Sequence, residues 1–329
     1  MLPYLAITLG DVCGIGPEIT LKVLSKKEVY QFCYPIVIGD ATALKKAAKL
    51  LKIDIKLMSP WEKGFLPSPN HIFLLEVSHL SEKDLIYGKP TVNSARASVD
   101  YIKIAVDLAL KKKVNGIVTC PVNKAAINRA GISFSGHTEL LAKLTNTKHY
   151  AMLFWGKKLK VALLTIHVPL KKVPTLVTQE KLFNLIALTF HFLKEKLNIS
   201  NPRIAVAGLN PHAGEEGLMG DEEIKIISPA IKKAKENGID VKGPFPPDTV
   251  FYLANEGKFD VVISMYHDQG LIPFKLLHFR DGVNVTMGLP IVRTSVDHGT
   301  AYDIAGKGIA DERSLFSALR LAAKMAFKF

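Results

Sequence analysis

Short apolar runs rich in β-branched residues alternate with longer amphipathic stretches along most of the 329 residues, and no other feature narrows the fold as far. YLAITL (4–9) precedes PEITLKVLSKKEVY (17–30), YPIVIGD (34–40) precedes ATALKKAAKLLK (41–52), and ARASVDYIKIAVDLALKKK (95–113) precedes NGIVTC (115–120). Parallel neighbours need a crossover connection, usually a helix, so this alternation predicts an α/β fold with mostly parallel sheets. Within 95–113, Val99, Ile102, Val106, Ala109 and Leu110 recur at helical spacing and predict one buried face.

A chain of this length, 48% hydrophobic, can bury a large core and is long enough for two lobes. No Pro/Gly/Ser linker separates them, so the lobes are expected to pack without a tether. The runs PFPPD (244–248) and MGLP (287–290) are the candidate crossovers. The division expected is 1–130 plus 290–329 for a first, discontinuous lobe and 131–289 for a second.

The formal charge of +13 raises the question of nucleic acid. Its lysines are scattered over presumed helix faces and turns (Lys45-Lys46, Lys111-Lys112-Lys113, Lys157-Lys158, Lys232-Lys233), without interleaved aromatic platforms. That is a solvated surface able to steer anions, and no nucleic-acid partner is expected. No apolar run reaches the ~18 residues of a membrane span, and MLPYLAITLGD lacks a basic leader segment, so neither membrane nor secretion is expected. Cys13, Cys33 and Cys120 are odd in number and show no CxxC spacing, which predicts neither disulfides nor a cysteine zinc site and favours the cytoplasm.

Three apolar runs, KVALLTI, RIAVAGL and DVVISMY, are each followed by a polar loop with a histidine: His167, His212 and His267. Ligands gather at the carboxyl ends of strands in open α/β sheets. Three imidazoles can hold a divalent ion with positions left open for substrate, although each alone could be a hydrogen-bonded structural histidine. Ser135-Gly136-His137-Thr138-Glu139 precedes an amphipathic stretch and reads either as a helix cap or as an anion site at a helix start. Lys275, Asn284 and Arg293 follow successive apolar runs and could grip phosphate or carboxylate; surface ion pairing is the alternative. Gly10–Glu18 and Asp297–Gly308 are glycine-rich loops, structural turns or cleft linings. The first is not GxGxxG, so a Rossmann dinucleotide site is not predicted.

Taken in order, GIGPEI, SGHTE, GLNPHAGE, YHDQGLIPFK and VNVTMGLPIVRTSVDHGTAYDIAGKG resemble the motif string of the 4-hydroxythreonine-4-phosphate dehydrogenases, from about residue 5 to about residue 320. The resemblance implies a two-lobed fold like the isocitrate and isopropylmalate dehydrogenases, with a cleft between lobes. It implies oxidation of 4-phosphooxy-L-threonine by NAD or NADP, followed by decarboxylation to 3-amino-2-oxopropyl phosphate, in pyridoxine 5'-phosphate biosynthesis. Metal ligands correspond to His167, His212 and His267, with one zinc, magnesium or cobalt ion per subunit in a site shared across a homodimer. Substrate contacts correspond to His137, Thr138, Lys275, Asn284 and Arg293. Cofactor contacts correspond to His298, Gly299, Thr300, Ala301, Asp303 and Ile304. Asp268 and Lys275 are candidates for the general base. Val12-Cys13, Asn123 and Glu216 depart from the family's usual Pro-Ala, His and Gly. Related chains act on phosphorylated four-carbon sugar acids such as 4-phosphoerythronate or threonate 4-phosphate, which stands as an alternative substrate class. A non-catalytic phosphometabolite-binding protein is the other alternative, and the intact histidine set argues against it.

Overall fold

The computed structural model describes residues 1–61 and 64–327; positions 328 and 329 of the expected first lobe lie outside them. The chain divides into two compact units, Met1–Lys148 with Leu289–Phe329, and His149–Gly288. The return at 288/289 falls inside MGLP, whereas PFPPD lies wholly within the second unit. Residues 131–148, set with the second lobe on sequence, group with the first unit. Phe134 there is buried, and Asn128 clamps it by donating to its carbonyl (2.8 Å) and accepting from its N–H (3.2 Å).

The first unit begins with β1 (Tyr4–Thr8), β2 (Tyr34–Asp40), β3 (Lys56–Met58), β4 (His71–Ser78) and β5 (Gly116–Thr119). The second holds β6 (Ala151–Trp155), β7 (Lys160–Leu163), β8 (Ile204–Ala207), β9 (Val241–Phe245), β10 (Val261–Ser264) and β11 (Val283–Met287). The chain then returns to the first unit with β12 (Arg293–Val296). In the first unit the strand order is β3-β4-β2-β1-β5-β12, every pairing parallel. Parallel strands are covered on both faces, which is why Leu5, Ala6, Ile7, Ile36, Val37 and Ile38 are apolar without alternation and fully buried.

Helices start where the sequence supplies caps. Asp40 ends β2 and accepts from Ala43 N–H (3.0 Å), Thr91 and Ser94 form a reciprocal box at the head of helix 92–110, and Asn123 accepts from Ala126 N–H (2.8 Å). On helix 92–110, Val99, Ile102, Val106 and Ala109 are buried as expected, but Leu110 is 46% exposed. It is the helix's last residue, beyond the stretch that packs on the sheet.

The second unit orders its strands β11-β6-β7-β10-β8-β9. β6 is antiparallel to both β7 and β11, while β7, β10, β8 and β9 run parallel. The runs that precede the three histidines therefore become the adjacent strands β7, β10 and β8, and their carboxyl ends open on one edge of the sheet.

Candidate functional site

In the second unit, His167 and His267 follow neighbouring strands and come together, with ring centroids 5.8 Å apart. The two line a pocket of about 260 Å³ with Ile166, Val168, Leu170, Val173, Tyr266 and Asp268. Asp268 Oδ1 lies 2.6 Å from His267 Nδ1, and Glu215 Oε2 lies 3.2 Å from His212 Nδ1. Metal-binding imidazoles commonly have a carboxylate on one nitrogen, which fixes the tautomer and aims the other nitrogen at the ion. Donor chemistry at His267 and His212 thus fits a divalent cation, and His167 with His267 makes one imidazole pair. His212 does not join it within the chain: among the described residues no group of three or more His, Cys, Asp or Glu side chains is placed to hold a metal ion.

Two residues without a role in the sequence reading tie these loops together. Gln269 is buried; it accepts from Met265 N–H (2.7 Å) and donates to Gly208 carbonyl (2.8 Å), linking the end of β10 to the end of β8. Thr165 also donates to Met265 carbonyl (2.7 Å), which brings in the end of β7. The other is Glu223, 2% exposed, which accepts from Leu209 N–H (2.7 Å) and Asn210 N–H (2.8 Å) ahead of His212. Gln269 lies inside the motif YHDQG, two residues after a histidine, so position in sequence could have found it. Glu223 carries no such signal, because its partners are more than a dozen residues away.

The first unit holds a separate, buried polar corner. Helix His137–Leu144 starts at Gly136 with no side-chain cap, so the capping alternative for Ser135 is not what the structure shows. His137 sits near Arg293 and Lys124 and packs edge-on against Phe134 at 6.0 Å. Its Nε2 is buried and has no hydrogen-bond partner among the described residues. Burial, then the Arg293 and Lys124 charges, push its pKa down to about 3, so the ring is neutral at physiological pH. Arg293, at the start of β12 and 3% exposed, donates to Thr119 Oγ1 at 2.9 Å. Burial lowers its pKa to about 9, opposed by Glu139, and it remains a cation at neutral pH. Thr138 is buried beside them. An orphaned buried nitrogen costs roughly 1–3 kcal/mol, a cost that a ligand oxygen would offset.

Lys275 and Asn284 fall in the second unit. Lys275 is on helix 267–278, its Nζ 5.9 Å from the Phe279 ring centroid. Asn284 is on β11; its Nδ2 is 3.9 Å from Met152 Sδ and its Oδ1 is buried without a hydrogen-bond partner among the described residues.

The loop His298–Gly308 is built against Gly10–Glu18, both in the first unit. Ile15 N–H donates to Thr300 carbonyl (3.1 Å), and Tyr302 donates to Asp11 while accepting from Asn123 Nδ2 (2.9 Å). A Cβ on Gly14 would stand 2.8 Å from Thr300 carbonyl oxygen, so glycine there is a condition of close approach. Burial raises the Asp11 pKa, opposed by its hydrogen bonds from Tyr302 and Cys13 N–H. Glu18 accepts from Ala310 N–H (2.8 Å) and pairs with Lys22, which also donates to Gly308 and Ala310 carbonyls. GDVCGIGPE is therefore the buttress of the later loop. Ala301 turns at φ +45°, and Asp303 is exposed.

Two units of mostly parallel strands, with polar and charged side chains collected at the strand ends, define an α/β enzyme scaffold. The profile described as "Pyridoxal phosphate biosynthetic protein PdxA" matches residues 31–322, and the chain belongs to that family. It is 48% identical over 326 residues to a 4-hydroxythreonine-4-phosphate dehydrogenase of Desulforapulum autotrophicum, covering 98% of this chain and 96% of the other. It is 46% identical over 328 residues to an Oceanobacillus iheyensis protein provisionally named a D-threonate 4-phosphate dehydrogenase, covering 98% of each. A crystal structure of 4-hydroxythreonine-4-phosphate dehydrogenase from Klebsiella pneumoniae superposes with a TM-score of 0.88 at 41% identity, covering 99% of this chain and 98% of that one.

Proposed function

We propose that this PdxA-family dehydrogenase oxidises the 3-hydroxyl of 4-phosphooxy-L-threonine with NAD or NADP, and that the resulting 2-amino-3-oxo-4-phosphooxybutanoate loses its carboxylate to give 3-amino-2-oxopropyl phosphate. The observation that carries this reading is the buried corner of His137, Thr138 and Arg293, found in a chain 48% identical over nearly its whole length to a relative named for that activity. Arg293 supplies a fixed cation whose fork is oriented by Thr119, and His137 supplies a neutral imidazole whose buried nitrogen can meet a phosphate oxygen. Lys275 and Asn284 are the other substrate contacts in this reading. His298, Gly299, Thr300, Ala301, Asp303 and Ile304 are assigned to the cofactor, on a loop whose shape is held by Asp11, Gly14 and Ile15.

His167, His212 and His267 are proposed to hold one zinc, magnesium or cobalt ion per subunit, which as a Lewis acid would stabilise alkoxide and then enolate charge. Asp268 orients His267, which supports giving the base role to Lys275. Completion of the histidine set by a second copy of the chain accounts for His212 lying outside the His167–His267 pair. Ile272, Leu276 and Phe279, at helical spacing along and just past the helix that begins with His267, are 69%, 86% and 72% exposed and would be covered in a homodimer. No helix among the described residues is long and apolar enough to cross a membrane. The three free, buried cysteines suit the reducing cytoplasm, where we place the enzyme.

A second reading, oxidation of a phosphorylated four-carbon sugar acid such as threonate 4-phosphate, is supported by the similarity to the Oceanobacillus protein. The two differ at C2, amine against hydroxyl. Purified protein assayed with each substrate and each nicotinamide nucleotide, by absorbance of the reduced cofactor, should give its highest kcat/KM with 4-phosphooxy-L-threonine. A higher value with the sugar acid transfers the assignment to the second reading.

A further inference from the structure

His212 stands on a turn that its own sequence does not favour. Five consecutive residues have left-handed backbone angles: His212 (φ +54°), Ala213 (+55°), Gly214 (+83°), Glu215 (+42°) and Glu216 (+56°). Only glycine enters that region without a steric penalty, and four of the five carry a Cβ. The turn must therefore be specified by something outside it. Leu218 and Met219 N–H donate to the Glu215 and Gly214 carbonyls, Glu222 Oε2 accepts from Asn210 Nδ2 at 2.8 Å, and most of the remaining contacts lead to one buried carboxylate. Glu223 Oε1 accepts from the N–H groups of Leu209 and Asn210 at 2.7 and 2.8 Å, and Oε2 accepts from Asn210 Nδ2 at 2.9 Å. The turn closes over it. A Cβ on Gly214 would lie 2.8 Å from Glu223 Oε2, and one on Gly208 3.0 Å from Oε1. Asn210, with its backbone and side chain both bound to Glu223, in turn accepts from Ala213 N–H (3.2 Å) through its carbonyl.

We infer that Glu223 is a positioning residue whose buried carboxylate templates the left-handed turn and so presents His212. The inference rests on the reading that His212 serves the reaction as a metal ligand. Glu223 touches neither substrate nor ion; it acts through the chain between Leu209 and Glu216. Glutamine can still accept both N–H bonds through its remaining oxygen, and Asn210 can rotate its amide to meet the new NH₂ group. Alanine removes every acceptor. Aspartate keeps the charge but withdraws it by one methylene.

Hydrogen exchange on metal-free protein reads the turn directly. Glu223→Ala should exchange the Leu209 and Asn210 amides, and with them the Ala213 amide inside the turn, at least about tenfold faster than wild type, with Glu223→Gln close to wild type and Glu223→Asp between. Cobalt titration by calorimetry should show Glu223→Ala binding roughly 10- to 100-fold more weakly, the usual loss when a group that orients a metal-bound histidine is removed. Excess cobalt should then restore kcat, and amides in strands remote from the turn should exchange at the wild-type rate, which a general loss of stability would not allow. Glu216→Gly, placed in the Glu223→Ala background, should recover part of the affinity by relieving one left-handed position. Should Glu223→Ala not fold, Glu223→Asp carries the same comparison. Unchanged amide exchange and cobalt affinity in the alanine or aspartate variant would overturn the inference. If instead His212→Ala binds cobalt and turns over like wild type, the role of His212 itself is wrong, whatever Glu223 does to the turn.

Discussion

The corner around Arg293 and the strand ends around His267 are both made of polar side chains set by parallel strands, yet they are built to different standards. Arg293 is 3% exposed with an oriented fork, and His137 is neutral with its free nitrogen sealed from water. The first unit supplies all three of its side chains, His137, Thr138 and Arg293. The side chains of His267 and His212 are 41% and 66% exposed, and among the described residues His212 is not gathered with the His167–His267 pair. In the proposed reading, the difference separates a preformed grip on a ligand from a site finished by something added, an ion and a second chain.

The sharpest way to break the comparison is to remove a histidine from each kind of site contribution. His167→Ala, His212→Ala and His267→Ala should each fold, yet lose more activity than the ~10- to 100-fold typical of losing a partner outside the metal's own ligands. If the histidines of one site come from two chains, mixing inactive His212→Ala with inactive His267→Ala and allowing subunit exchange should regenerate measurable turnover. Mixtures as inactive as their parents would place all the ligands in one chain and remove the contrast.

Arg293→Lys tests the preformed side. Charge is kept, but an ammonium cannot reproduce a planar fork held by Thr119, and losing one charge-assisted contact costs on the order of 1.5–3 kcal/mol, ~10- to 150-fold in substrate affinity. Equal kcat/KM for variant and wild type on the phosphorylated substrate would mean that Arg293 does not touch phosphate.

How much of this contrast was legible beforehand follows from the range of the interactions. Strand-end histidines were visible because apolar runs and the polar loops after them are local, and so were His137, Thr138 and Arg293 through motifs. The adjacency of β7, β10 and β8 was not, since strand order is set by non-local pairing. Nor was the work of Glu223, whose partner Leu209 is 14 residues away, or the bond from Gln269 to Gly208, 61 residues away, although the motif position of Gln269 was local. Gly10–Glu18 read equally as turn or cleft lining because nothing local revealed that Asp11 receives the Tyr302 hydroxyl from 291 residues away.

A smaller effect comes from His137. Its folded pKa, about 3, lies below the ordinary 6.5, so between those values the unfolded chain binds a proton that the folded chain refuses. Its contribution to stability is therefore complete above about pH 6.5 and declines as pH falls toward 3. In His137→Gln, the slope of unfolding free energy against pH across that window should flatten by up to one proton. An unchanged slope would show that the imidazole is not held neutral by burial.

The account turns on an ion that completes the exposed histidines, and the direct measurement is turnover of 4-phosphooxy-L-threonine after exhaustive chelation, with residual metal quantified by elemental analysis. Metal-free protein should be folded and inactive, and zinc, cobalt or magnesium should restore activity in step with occupancy of one ion per subunit. Full turnover by protein verified to hold no metal would contradict it.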